Sequence, residues 1–261
     1  MPRAAIRTLP TPDALGTTLA AEILARIAAA HAEGRHFLLG VPTGRTPKPI
    51  FAAMERQLTT RGQSLRHVTL VMMDEYLVGA EHGMRYAPPD APWSCHHFAR
   101  AEILARLNAV LPPASQLDDE RIWFPLPHDP PEYEARIAAA GGIDLFLLAS
   151  GASDGHVAFN PPGSARDSRT RIIPLSDETR RDNLQTFPSF GSLAHVPHHG
   201  VSVGIATIIE AREAVMVAWG EGKRTTVARM ASAAGYSPAW PATLIHECAK
   251  GEIVVDEAAA G

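Results

Sequence analysis

The sequence predicts an α/β fold: an open, mostly parallel, twisted sheet with helices on both faces, a three-layer Rossmann-like arrangement. Three observations predict it. Short apolar runs, among them Phe37–Val41 and Ile143–Leu148, alternate with longer stretches of helical periodicity. Such alternation implies strand–helix–strand crossovers, which put helices on both faces of parallel strands. Glycine-bearing turns follow several of the apolar runs, at the strand ends where ligands bind in sheets of this kind.

The elements follow in order. Thr11 to Glu33 is Ala-rich, with Leu15, Leu19, Ile23 and Ile27 at helical spacing, and reads as a helix. Phe37–Val41 is a strand, and Thr43-Gly44-Arg45-Thr46-Pro47 is a tight loop. Pro49 to Arg61 is the next helix, since proline is tolerated near a helix start. Val68–Met73 is a second strand ending at Asp74-Glu75-Tyr76, and a Gly- and Pro-rich loop runs from Gly79 to Pro92. His96 to Leu107 is helical, Arg121 to Phe124 a short strand, Pro131 to Ala140 a helix, and Ile143–Leu148 a buried strand. Residues 160–199 show little periodicity, and long stretches of that kind are often functional. Val201–Ile205 is strand-like, Ile208–Arg212 a short helix and Ala214–Trp219 a strand. Gly220-Glu221-Gly222-Lys223 turns into a helix through Ala233, and Ile253–Val255 closes the sheet. Four candidate site loops therefore begin at Thr43, Asp74, Gly151 and Gly220. No repeat, low-complexity tract or linker divides residues 1–261, so one domain is expected.

Composition narrows the function. Hydrophobic residues make up 46% of the 261, which argues against disorder. A net charge of -4 gives no basic field for nucleic acid. Cys95 and Cys248 cannot build a disulfide framework, which points to a reduced, cytoplasmic setting, and no cysteine pair has zinc-ligand spacing. No apolar stretch approaches the roughly 20 residues that span a bilayer, and the N-terminus lacks the apolar run of a signal peptide. A membrane partner is not expected; a homo-oligomer is left open.

The chemistry concentrates in four places. In Thr43-Gly44-Arg45-Thr46, backbone N–H groups and Thr46 could cradle an anion at a helix start, with the Arg45 fork adding charge; the alternative is an ordinary β–α turn. Lys223, on the second glycine turn, either reaches a phosphate or is a solvated surface lysine. Two such turns in one sheet favour a phosphorylated small ligand. Asp74, at a strand's C-terminal end, is either a carboxylate base in a partly desolvated place or the cap of the next turn. In Ser153-Asp154-Gly155-His156, an acid and an imidazole on a strand-end loop suggest a proton shuttle; the alternative is a turn aspartate and a satisfied histidine. His195, His198 and His199 could form a metal site, and the two thiols read as buried and structural.

Taken together, these motifs resemble the glucosamine-6-phosphate deaminase (isomerase)/6-phosphogluconolactonase family over nearly the whole chain. Residues 42–47 look like its phosphate loop, with Arg45 in a small-residue slot. Met73-Asp74-Glu75-Tyr76 and Asp154-Gly155-His156-Val157-Ala158-Phe159-Asn160 are similar to the deaminase branch, and Gly220–Lys223 and Pro241-Ala242-Thr243-Leu244 match later motifs. The resemblance implies a ring-opening acid/base at His156 assisted by Asp154, and an enolising base at Asp74. It implies substrate or phosphate binding by Thr43, Gly44, Arg45, Thr46, Gly155 and Lys223, and no cofactor and no metal. The expected reaction converts glucosamine 6-phosphate to fructose 6-phosphate and ammonia; the alternatives are a lactone hydrolase or a non-catalytic phosphosugar sensor. The chain departs from the deaminase pattern at Pro161, where that branch has a glutamate, and proline can neither accept nor relay a proton. It departs again near Gln185, where a phosphate-binding arginine is expected; Arg45, Arg180 and Arg181 are candidates to replace it.

Overall fold

The computed structural model describes residues 3–80 and 83–261. Its larger sheet has seven strands in the order β1-β11-β10-β7-β2-β3-β6. They are β1 (Ala5–Leu9), β2 (Phe37–Val41), β3 (Val68–Met72), β6 (Ile122–Trp123), β7 (Leu145–Leu148), β10 (Glu213–Ala218) and β11 (Gly251–Asp256). Every pairing in it is parallel. Strands β2, β3 and β7 are buried at every residue, which is why they read as near-continuous apolar runs.

Helices cover both faces. On one, α1 (Pro12–Ala32) and α2 (Lys48–Arg61) bury Leu15, Leu19, Ile23, Ile50, Phe51 and Met54 against the sheet. Thr11 starts α1 by accepting a hydrogen bond from the Ala14 N–H, with Pro12 in the first turn where its missing N–H is harmless. The same face takes a helical run of three parts: α3 (Cys95–Phe98), a wider-wound turn over Ala99–Leu104, and α4 (Ala105–Ala109). The other face takes α5 (Pro130–Ala139), α7 (Ile205–Ile209), α8 (Arg224–Ser232) and the last helix, α9 (Glu257–Ala260).

A second, antiparallel sheet of four strands was not foreseen. Its order is β5-β4-β9-β8, with β4 (Asp74–Ala80), β5 (Gly83–Tyr86), β8 (Arg171–Pro174) and β9 (His199–Ser202). Four sequence expectations change with it. Asp74 does not end β3: the chain breaks at Met73 and Asp74 opens β4. The loop expected from Gly79 holds the end of β4 and all of β5. The strand expected over Val201–Ile205 pairs in this second sheet, and Ile205 already begins α7. The aperiodic 160–199 stretch contains β8 and a helix, α6 (Asp177–Thr186). That helix buries only Thr179 and Arg180, so it leaves no apolar stripe to read. Nor does Ile253–Val255 close the large sheet; β1 pairs outside it at the edge. β1 went unread because two of its five residues are charged or polar and most are exposed or half-buried.

The strand order fixes where a ligand can sit. From β2 the chain runs outward to β3 and β6, then returns to β7 on the other side of β2. The loops after β2 and β7 therefore diverge and leave a crevice at the switch point. The second sheet and α6 stand beside it. Between them lies an aromatic core, in which Tyr76 packs on Phe159 at 5.0 Å and Trp93 stacks on Phe190 at 4.6 Å.

Candidate active site

A cleft of about 390 Å³ opens at the C-terminal ends of β2, β3, β7 and β10. Thr43, Gly44, Arg45 and Thr46 line it between β2 and α2. Gly44 turns the loop with φ +86°, a conformation that side chains other than glycine resist. No side chain caps the N-terminus of α2. The turn after β10 lies alongside, and the Trp219 indole N–H donates to the Thr46 carbonyl at 3.1 Å. From that turn the Lys223 ammonium reaches across to donate to the Ser150 carbonyl. Burial pulls the Lys223 pKa down; Asp182 and Asp154 push it back up, while Arg45 adds to the lowering. Arg45 and Lys223 thus bring two cations to one cleft, which favours an anionic ligand there.

The loop after β7 carries the acid–imidazole pair. His156 Nδ1 lies 2.7 Å from Asp154 Oδ1, and the same oxygen accepts the His156 backbone N–H at 3.0 Å. An ionised carboxylate only accepts, so Nδ1 holds the proton and Nε2 is left to exchange one. Burial works against the Asp154 charge, but the hydrogen bonds and charge of His156 outweigh it and hold the carboxyl below its usual range. Two glycines make the turn possible. A Cβ on Gly151 would sit 2.2 Å from His156 Nδ1, and one on Gly155, whose φ is +70°, would sit 2.4 Å from the Trp240 ring. Ala158, also lining the cleft, holds φ +51°, which costs about 1 kcal/mol or more in a residue with a Cβ.

Asp74 enters the cleft from the opening residue of β4 and is 6% exposed. Burial raises its carboxyl to about 7, helped by the neighbouring Glu75 charge and opposed by the Cys95 thiol and His156. Glu75 points the other way. It accepts from the N–H groups of Tyr76, Cys95 and His96 and from Ser94 Oγ, and pairs with His96 Nδ1 at 2.6 Å. It is an anchor for the α3 N-terminus, which explains a fully buried acid beside the cleft.

All of the expected site residues except Asp154 and Gly155 line this cleft, and Asp154 bonds directly to His156 within it. The candidate replacements for the missing arginine separate. Arg45 lines the cleft, as does Gln185. Arg180 is buried, donating to the Leu193 and Val196 carbonyls, and Arg181 pairs with Glu178. Pro161 lies outside the cleft lining. Sequence reasoning missed α6, whose Asp182, Asn183 and Thr186 form one wall. Asp182 accepts from Ser153 Oγ at 2.9 Å and from the Ala152 N–H at 3.2 Å, tying that helix to the Asp-Gly-His loop. It also missed Cys95, whose thiol is not a bystander but donates to Asp74 Oδ1 at 3.4 Å.

Among the described residues, His195, His198 and His199 form no metal-binding group; Asp154, His156 and Asp182 do approach one another to within 4.8 Å. Their hydrogen bonds to one another and to Ser153 already account for that closeness.

Comparison with known proteins gives the family. Residues 10–255 match the family model described as glucosamine-6-phosphate isomerases/6-phosphogluconolactonase. A glucosamine-6-phosphate deaminase of Streptomyces avermitilis is 36% identical over 255 residues, covering 95% of this chain and 89% of the relative. One of Rhodopirellula baltica is 36% identical over 229 residues, covering 85% and 83%. Among solved structures, a monomeric glucosamine-6-phosphate deaminase superposes with a TM-score of 0.81 at 25% identity, over 98% of both chains. A 6-phosphogluconolactonase from Trypanosoma brucei shares the fold, with a TM-score of 0.70 at 20% identity over 99% of this chain and 98% of that one. On this match, the chain belongs to the glucosamine-6-phosphate isomerase/6-phosphogluconolactonase family.

Proposed function

We propose that this protein converts an amino-sugar 6-phosphate, such as glucosamine 6-phosphate, into fructose 6-phosphate and ammonia. One observation carries the reading: a buried carboxylate held near neutrality, Asp74, shares a cleft with the Asp154–His156 pair and the Arg45–Lys223 cations. A base whose pKa lies near the working pH is both ionised and able to take a proton.

In this reading phosphate sits on the Thr43–Thr46 turn and Lys223. His156, held by Asp154, gives a proton to the ring oxygen as the anomeric hydroxyl loses one, and the ring opens to the aldehyde. Asp74 removes the C2 proton, the electron pair forms the C1–C2 double bond and the C1 oxygen takes a proton, giving an enolamine; a proton delivered to C1 then gives the C2 imine. Water adds at C2, ammonia leaves, and the ketone remains. Each bond made or broken here is accompanied by a proton transfer that these side chains can serve. We take the two sheets to act as one domain with the cleft between them. We place the reaction in the cytoplasm, in keeping with two unpaired, buried cysteines.

The second reading, lactone hydrolysis with His156 activating water, draws support from Pro161, which brings no extra carboxylate to the cleft. An ammonia-release assay with glucosamine 6-phosphate separates the two. The deaminase reading expects stoichiometric ammonia and ketose phosphate from wild type and none from Asp74→Asn. Wild type that releases no ammonia from any hexosamine 6-phosphate, yet hydrolyses 6-phosphogluconolactone, contradicts it.

A further inference from the structure

We infer that Cys95 is a positioning residue for Asp74, its thiol carrying a directed hydrogen-bond chain from the phosphate loop to the base. The inference rests on the reading of Asp74 as base. Cys95 Sγ lies 3.4 Å from Asp74 Oδ1 and 3.7 Å from Thr43 Oγ1. A thiol has one proton and an ionised carboxylate has none to give. While Asp74 is charged, the thiol must donate to it, and the Thr43 hydroxyl is then the donor to sulfur. The chain therefore runs Thr43 to Cys95 to Asp74, from a residue of the anion turn to the proposed base.

The thiol is fixed for this task. Cys95 is 1% exposed, it is the first residue of α3, and its backbone N–H is held by Glu75 Oε1 at 3.1 Å. Its bond occupies Oδ1 of Asp74, and no hydrogen bond among the described residues takes the other oxygen. The carboxylate is thus oriented with one oxygen engaged and one available to the cleft.

A hydrogen bond made to the ionised form favours that form. Around Asp74 the thiol and His156 favour the charge, while burial and Glu75, from its own strand, oppose it. The phenols of Tyr76 and Tyr133 lie in the same field, each kept neutral by burial. Burial likewise keeps the Cys95 proton on sulfur, as a donor requires. Among the described residues, the Cys95 thiol is the hydrogen-bond donor to the Asp74 carboxylate, and its bond favours the charged form that a base needs.

The test is a carbon-13 NMR titration of the Asp74 carboxyl in the ligand-free full chain, for wild type, Cys95→Ala, Cys95→Ser and Thr43→Val. Cys95→Ala should titrate at least about half a pH unit above wild type, because a donor to the charged form is gone. Cys95→Ser keeps a donor and should not rise. Thr43→Val should shift in the same direction as Cys95→Ala but by less. The kcat/KM profile for glucosamine 6-phosphate should move with these titrations on its acid side. An Asp74 titration in Cys95→Ala within about 0.2 unit of wild type overturns the inference; so does an equal rise in Cys95→Ser. If Cys95→Ala does not fold, Thr43→Val, which leaves the thiol in place, decides: a rise of the Asp74 titration supports the inference, and a titration that is unchanged or lowered overturns it. The titration needs no turnover, so an inactive wild type counts against the proposed reaction and leaves this result to stand or fall separately.

Discussion

Asp74 is a residue that the fold holds at its own expense. Its folded carboxyl titrates near 7, against about 3.9 in an unfolded chain. Between those values the folded state binds the proton and the unfolded state does not, so stability falls as pH rises from about 4 to about 7 and then levels. The shift corresponds to a penalty on the order of 4 kcal/mol once the group is ionised. Asp74→Asn should therefore melt higher than wild type at pH 8, with the gap closing toward pH 5, while turnover is lost. Thermal melts at the two pH values check this, and a lower melting temperature at pH 8 would contradict it. Lys223 makes the complementary prediction. An ammonium that donates to one phosphate is worth about 1.5–3 kcal/mol, so Lys223→Met should lower kcat/KM by about 10- to 100-fold. Inorganic phosphate should protect Lys223 from acetylation in wild type.

At the scale of elements, two tight turns and one polar helix build the cleft. The Asp154–His156 turn tolerates no side chain at residue 155, where φ is positive and the Trp240 ring fills the space. Gly155→Ala should destabilise by about 2 kcal/mol or more and displace His156, seen as a lower melting temperature together with lost activity. Helix α6 has few buried residues and is held to the opposite turn by Asp182. Asp182→Ala removes a charged acceptor from Ser153 Oγ and the Ala152 N–H. Amide exchange in residues 177–186 should then quicken about tenfold or more. Unchanged exchange there would mean that α6 is held by its aromatic neighbours alone.

For the whole molecule, what was legible follows from burial on two faces. The parallel strands β2, β3, β7 and β10 are buried and mostly apolar, and their end loops carried Thr43, Asp154, His156 and Lys223 to readable positions. The second sheet was not legible, because β4 continues from β3 after one residue and the two blur into one run. Asp182 was silent for a different reason: an aspartate on a polar helix has no local signature, and only the fold brings it opposite Ser153. Cys95 likewise gained its meaning from contact with Asp74, 21 residues away. The resemblance supplied the family, and the cleft then located its parts. The central claim is that a carboxylate in this cleft removes a carbon-bound proton. Glucosamine 6-phosphate deuterated at C2 tests it most directly. Wild type should give ammonia and fructose 6-phosphate with slower turnover of the deuterated sugar, deuterium lost from C2 and found in part at C1 or in water, and Asp74→Asn none of this. Deuterium that stays at C2 while wild type turns the sugar over, or an Asp74→Asn enzyme as active as wild type, would contradict it.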